Sequence, residues 1–183
     1  INGLLEKEYI NKRAALIKPD RATMFPESGT PKGTELLDLE SQPRTSGGGT
    51  THLVIVDKYG NVASYTGSVE TVFGSRNISG GMILNNQLTD FSFVPKIGGK
   101  SISNRVGPNK RPMSSMSPVI VFSANKPVLA IGSPGGWVIP HFLSNAIINL
   151  LDLGLQPKEV VKRNHISVKP DATILESKAV WSG

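Results

Sequence analysis

The chain contains no cysteine, which excludes disulfides, thiolate metal ligands and a cysteine nucleophile. It has only three histidines, His52, His141 and His165. They show no metal-ligand spacing and read as ordinary structural histidines, so neither a metal nor a cofactor is expected. No uninterrupted apolar run approaches the ~20 residues needed to cross a bilayer. The first residue is Ile1 and no charged-then-apolar leader opens the chain, so it reads as a piece of a longer product whose compartment stays open. Acidic residues are outnumbered, with Asp+Glu 14 against Lys+Arg 20 and a net charge of +6. The positive charges are spread along the chain. The basic run Gly107–Pro112 lacks the interleaved aromatics of a nucleic-acid module, so no nucleic-acid partner is expected.

What is present is, first, length: 183 residues with a hydrophobic fraction of 38% suffice for one domain with a sizeable core. Apolar spacing predicts a helix from Ile1 to about Ala22, ended by Pro19. Residues 23–49 then shift to Pro, Gly, Ser, Thr and charge, with Leu36, Leu37 and Leu39 as the only apolar cluster, and read as a long exposed linker. That linker runs through Gly47-Gly48-Gly49 into Thr50-Thr51-His52 and the apolar run Leu53–Val56.

The glycine-threonine junction has two readings. One is a flexible linker meeting a strand. The other is a masked nucleophile. A threonine hydroxyl needs a neighbouring base, and a chain-terminal threonine supplies its own in the α-amine, which titrates at about 7.7–8.0. Thr50 is internal, so this second reading requires cleavage between Gly49 and Thr50.

Downstream, the turn residues Asp57–Asn61 separate two strand-like runs, which predicts a hairpin from Leu53 to Val69. Antiparallel pairing would bring Ser68 and Glu70 to the end that Thr50 opens. A Gly80-Gly81 turn precedes Met82–Phe91, read as a strand delivering amide and carboxylate groups or as an Asn-rich turn satisfying its own backbone. Phe93–Arg105 looks like loop. Val119–Phe122 and Val128–Ile131 predict a second hairpin that empties into Gly132-Ser133-Pro134-Gly135-Gly136. A helix is expected from Val138 to near Gly154 and another from Gln156 to about Arg163. A glycine turn opening a helix presents backbone N–H groups suited to an oxyanion. It lacks the Gly-Lys-Ser/Thr ending of a nucleotide-binding loop.

Taken in order, Thr50-Thr51-His52, Asp57–Asn61, Leu84-Asn85-Asn86-Gln87 with Asp90-Phe91, Gly107–Pro112, Ser114–Pro118 and Gly132–Gly136 resemble the small-subunit region of γ-glutamyltranspeptidases. Leu4–Ala22 resembles the end of that family's large subunit. The resemblance implies an α+β fold, the αββα sandwich of N-terminal nucleophile hydrolases, incomplete in this chain. It divides the chain into a large-subunit end, residues 1–49, and a small-subunit catalytic region, residues 50–183.

The resemblance further implies self-cleavage before Thr50, with Thr51 as the family's second threonine and Ser68 standing where many members carry a supporting threonine. Glu70 stands where some members have asparagine and others glutamate and counts as substrate-binding. Gln87 and Asp90 are placed at the substrate's α-amino group, Ser114 and Ser115 at its α-carboxylate, and the Gly135 and Gly136 amides at the oxyanion. The implied reaction is γ-glutamyl transfer or hydrolysis on glutathione and related amides. Water, an amino acid or a peptide is the acceptor, and the rest of the same precursor's large subunit, including its substrate-binding arginine, is the partner. Final small-subunit strands are expected beyond Gly183, and Phe93–Val106 is shorter than in members with a lid loop. Poly-γ-glutamate hydrolysis or transpeptidation, and a non-catalytic fragment serving as an assembly surface, are the rival readings. A periplasmic, secreted or cell-surface location goes with the family.

Overall fold

The computed structural model describes residues 2–21, 23, 26–34, 39–40, 48–168 and 173–175. Part of the expected linker, including Leu36, Leu37 and Gly47, lies outside these residues. The predicted first helix is shorter than its apolar spacing suggested. A 3-10 turn at Asn2–Leu5 precedes helix α1, Lys7–Ala14. The chain then closes with the tighter bonds Leu16 N–H to Arg13 O and Ile17 N–H to Ala14 O, well before Pro19. Helical spacing alone could not mark that end, because α1 buries none of its residues and so has no packing to prolong it.

The first hairpin is the part of the fold that matters most for the site. Strands β2, Thr50–Val56, and β3, Val62–Ser68, pair antiparallel from Thr50↔Ser68 to Val56↔Val62. Their turn is built by Asp57, whose Oδ1 accepts the N–H groups of Tyr59 and Asn61, both at 2.8 Å. Asn61 Nδ2 donates to its Oδ2 at 2.7 Å. The Asn61 side chain thereby holds the Asp57 carboxyl below its usual range. At the other end the ladder bulges. Val69 N–H donates to Gly49 O at 2.9 Å, while Gly49 N–H donates to Glu70 O at 2.8 Å, so Gly49 faces two residues of the partner strand. Leu53–Val56 are exposed despite their apolar character, because a two-stranded ladder cannot cover both of its own faces.

The segment after β3 is held by short ladders. Strands β4, Ile78–Ser79, and β5, Met82–Ile83, make a small hairpin about Gly80-Gly81, followed by a 3-10 turn at Gln87–Asp90. The expected strand to Phe91 is therefore only two residues long, and the polar cluster sits on a turn. The expectation of loop over Phe93–Arg105 is also corrected. Strands β6, Lys96–Ile97, and β7, Lys100–Ile102, pair antiparallel, and β1, Leu39–Glu40, joins β7 in parallel. Gly98 and Gly99, with φ of +56° and +82°, supply the left-handed turn that a two-residue hairpin requires, and Ile102 is fully buried.

The second hairpin is β8, Val119–Ser123, with β9, Lys126–Ile131, irregular between Val121 and Phe122. It lies against the first: Ser64 Oγ reaches Ile131 O at 3.5 Å, and a Cβ at Gly132 would overlap the His52 ring. A 3-10 turn at Gly136–Val138 leads into helix α2, Ile139–Ile147. The predicted single helix to Gly154 instead widens into a π turn at Ile148–Asp152, closed by Leu155 N–H to Asn149 O and left-handed Gly154. Helix α3, Pro157–Lys162, opens on a capping box of Gln156 and Glu159. Strands β10, Ile166–Val168, and β11, Thr173–Leu175, pair last. Phe91, Ile102, Val138, Ile139, Leu143 and Val160 form the buried apolar set among the described residues.

Candidate active site

Because Val69 donates to Gly49 O, Thr50 and Ser68 form a non-hydrogen-bonded pair of the ladder, the type that brings side chains closest. Thr50 Oγ1 donates to Ser68 Oγ at 3.1 Å. Ser68 Oγ in turn accepts Glu70 N–H at 2.9 Å and donates to Gly49 O at 3.3 Å. A serine hydroxyl carries one proton and two lone pairs, so this oxygen is fully used. The same pairing turns the Thr50 N–H away from β3.

Thr50 and Ser68 open onto a cleft that Glu70, Gln87, Asp90, Ser114, Ser115 and Gly136 also line. Eight of the ten anticipated site residues thus meet in one place. Thr51 does not line the cleft and is exposed, since successive strand residues face opposite sides. Gly135 is also absent from the lining. It stands one residue back, with φ +134° and a Cβ position 3.0 Å from the Phe142 ring, so a side chain there would meet both strain and crowding.

Glu70 sits in the left-handed region at φ +73°, strained for a residue that is neither Gly nor Asn. Burial pushes its carboxyl up from the ordinary value, and the charge and hydrogen bond of Asp90 add to the effect. Gln87 Nε2 donates to Asp90 Oδ2, which aligns the amide and carboxylate on one turn. On the opposite side Ser114 Oγ accepts Met116 N–H at 3.2 Å.

The residue that joins these two walls is Asn104. Its Nδ2 donates to Asp90 O at 2.6 Å and its Oδ1 accepts Met113 N–H at 3.0 Å. Sequence reasoning missed it, as it missed the lining residues Phe91, Phe93, Met113 and Trp137. Nothing in a lone asparagine after a short strand announces such a bridge.

The histidines take packing roles. His52 Nδ1 pairs with Thr66 Oγ1 at 2.8 Å. His141 Nδ1 pairs with Ser167 Oγ at 2.7 Å, and its ring meets Trp137 edge-on. His165 stacks on Phe142 with centroids 4.1 Å apart. Among the described residues no group of three or more His, Asp or Glu is placed to hold a metal.

The family model for gamma-glutamyltranspeptidase matches residues 1–181. The chain belongs to the gamma-glutamyltranspeptidase family. A glutathione hydrolase proenzyme of Bacillus subtilis (strain 168) is 40% identical over 173 residues, 91% of this chain and 29% of the relative. The Escherichia coli (strain K12) glutathione hydrolase proenzyme is 41% identical over 138 residues, covering 69% and 23%. The chain therefore spans less than a third of the length of these relatives.

In three dimensions it resembles a mutant gamma-glutamyltranspeptidase of Helicobacter pylori, with a TM-score of 0.59 and 34% identity over 68% of this chain and 72% of that one. It also resembles the transpeptidase enzyme CapD of Bacillus anthracis, with a TM-score of 0.54 and 25% identity over 69% and 65%. The α+β arrangement is accordingly that of the family's N-terminal nucleophile hydrolase fold. Among the described residues no helix is long and apolar enough to cross a membrane.

Proposed function

We propose that this chain carries the catalytic portion of a glutathione hydrolase, in which Thr50 becomes the nucleophile once the precursor cuts itself between Gly49 and Thr50. On this reading residues 1–49 end one subunit and residue 50 begins the other. The observation that carries the reading is the Thr50–Ser68 hydroxyl pair at the end of the cleft, with Ser68 also bonded to the carbonyl of the peptide to be cut.

Freed of Gly49, the Thr50 nitrogen becomes an amine titrating near neutral pH, at about 7.7–8.0. It points away from β3 and is therefore not consumed by the ladder. As general base it takes the Oγ1 proton while Oγ1 bonds to the γ-carbonyl carbon of the donor. The carbonyl electrons move to oxygen, where the Gly136 amide, with Gly135 beside it, meets the developing charge. Collapse breaks the C–N bond, and the amine returns the proton to the leaving group, leaving a γ-glutamyl ester on Thr50. Water or an acceptor amine then repeats the sequence in reverse.

The donor's α-ammonium suits the Glu70, Gln87 and Asp90 wall, which is rich in acceptors. Its α-carboxylate suits the hydroxyls and amides around Ser114 and Ser115. The remainder of the large subunit completes the carboxylate site.

Intact-mass analysis of the full-length precursor, together with release of a chromogenic anilide from its γ-glutamyl derivative, tests the proposal. The wild type should split at Gly49 and turn over, and Thr50→Ala should do neither. A Thr50→Ala precursor that still splits there would refute the assignment.

A further inference from the structure

On the proposed function the Gly136 amide meets a substrate carbonyl in the cleft, but the carbonyl attacked during maturation is that of Gly49, at the end of the β2–β3 ladder. One nucleophile therefore meets two carbonyls in two places, and the second needs its own donors. We infer that the bulge at Val69–Glu70 is the oxyanion site of self-cleavage, with Val69 N–H and the Ser68 hydroxyl as its two donors. This rests on the proposed role of Thr50 as nucleophile.

Three observations point to it. Val69 N–H already donates to Gly49 O at 2.9 Å, so a backbone donor stands on the oxygen where the charge will develop. Ser68 Oγ stands 3.3 Å from the same oxygen, and a donor facing a growing negative charge draws in and strengthens. Gly49 is locked in place: its N–H is held by Glu70 O at 2.8 Å. A Cβ on it would also sit 2.7 Å from Val69 Cγ2 and 2.9 Å from Thr71 O. A side chain before the nucleophile would therefore force the bulge to shift, and the bonds at Gly49 fix the direction of its carbonyl.

The hydroxyl pair also supplies a proton path. As Thr50 Oγ1 bonds to the Gly49 carbonyl carbon, its proton passes to Ser68 Oγ, and the Ser68 proton passes to Gly49 O as the carbonyl π electrons move there. Negative charge grows on Gly49 O ahead of that second proton, where Val69 N–H meets it, and the tetrahedral adduct ends neutral once the proton arrives. Its collapse re-forms the carbonyl, breaks the bond to Thr50 N and returns the proton by way of Ser68 and solvent to that nitrogen. The product is an ester between Gly49 and Thr50 Oγ1. Water cleaves the ester, giving the Gly49 carboxylate and the Thr50 hydroxyl, and the remaining proton passes to the new α-amine or to solvent. No base is required before the α-amine exists, which is the chemical difficulty that self-cleavage must solve.

The test uses the full-length precursor. Replacing the amide N–H of Val69 by an ester oxygen deletes one donor and leaves every side chain in place. Release of the residues before Thr50 should slow about a hundredfold. Turnover per free Thr50 amine should stay within about twofold, a split that general distortion would not produce. Gly49→Ala should also slow release, and Val69→Ala, which keeps the N–H, should not. Thermal melting of each uncleaved precursor checks folding. Wild-type cleavage by the ester variant, or equal losses in cleavage and turnover, would overturn the inference even with Thr50→Ala uncleaved. Cleavage by Thr50→Ala would instead remove the reading beneath it.

Discussion

Glu70 offers a prediction in which backbone strain and electrostatics separate cleanly. Its left-handed backbone costs an ordinary residue roughly 1–2 kcal/mol, and asparagine tolerates that region far better. Burial, with Asp90 beside it, raises its carboxyl above the ordinary value, so the native state holds its proton to a higher pH than the unfolded state does. Where the native state binds more protons, stability falls as pH rises. The contribution of Glu70 is therefore fully present below the unfolded carboxylate range and is lost as pH climbs through the raised native value.

Glu70→Gln removes the titration but keeps the strain. Glu70→Asn removes the titration and relieves the strain. Urea unfolding of the full-length precursor, held uncleaved by Thr50→Ala, should be followed from about pH 4 to pH 8. Glu70→Gln should gain stability relative to the parent as pH rises through the window above the ordinary carboxylate value and then level off. Glu70→Asn should lie above Glu70→Gln by roughly 1 kcal/mol at every pH. A difference that is flat in pH for Glu70→Gln, or a Glu70→Asn variant less stable than Glu70→Gln, would refute the reasoning.

Further outcomes follow from the site's supports. Asn104→Ala loses bonds to both Asp90 O and Met113 N–H, each worth about 1 kcal/mol. Steady-state kinetics should show KM for a γ-glutamyl donor up by about tenfold with kcat little changed; a loss confined to kcat would contradict a positioning role. Gly132→Ala places a Cβ into the His52 ring. It should destabilise by about 1–3 kcal/mol as overpacking does, and His52→Ala should recover most of that in a double-mutant cycle; additive losses would show that the two do not share the space.

Much of the hairpin was legible because its determinants are local. Asp57–Asn61 carries its own turn hydrogen bonds, and counting back from that turn puts Ser68 opposite Thr50 without any knowledge of packing. The Gly98-Gly99 turn was read as loop, although Ile97-Gly98-Gly99-Lys100 carries a two-residue hairpin signal; the brevity of its strands hid it. Strand alternation would likewise have separated Thr51 from Thr50. Asn104 was not legible, since its role consists of two bonds to segments that are distant in sequence. The strain at Glu70 was not either, because a left-handed glutamate violates local preference and persists only where surrounding bonds impose it.

By itself, then, the sequence determined the chemical groups, their order, the two hairpins and the glycine turn, all consequences of backbone preference over a few residues. Only the tertiary structure decided that the Gln87–Asp90 turn and Ser114 and Ser115 line one cleft, that the Glu70 carboxyl is raised, and that Gly49 is clamped beside the hydroxyl proposed to cut it. Those facts depend on long-range packing, desolvation and crowding, which arise where distant segments meet and leave no local pattern in the chain.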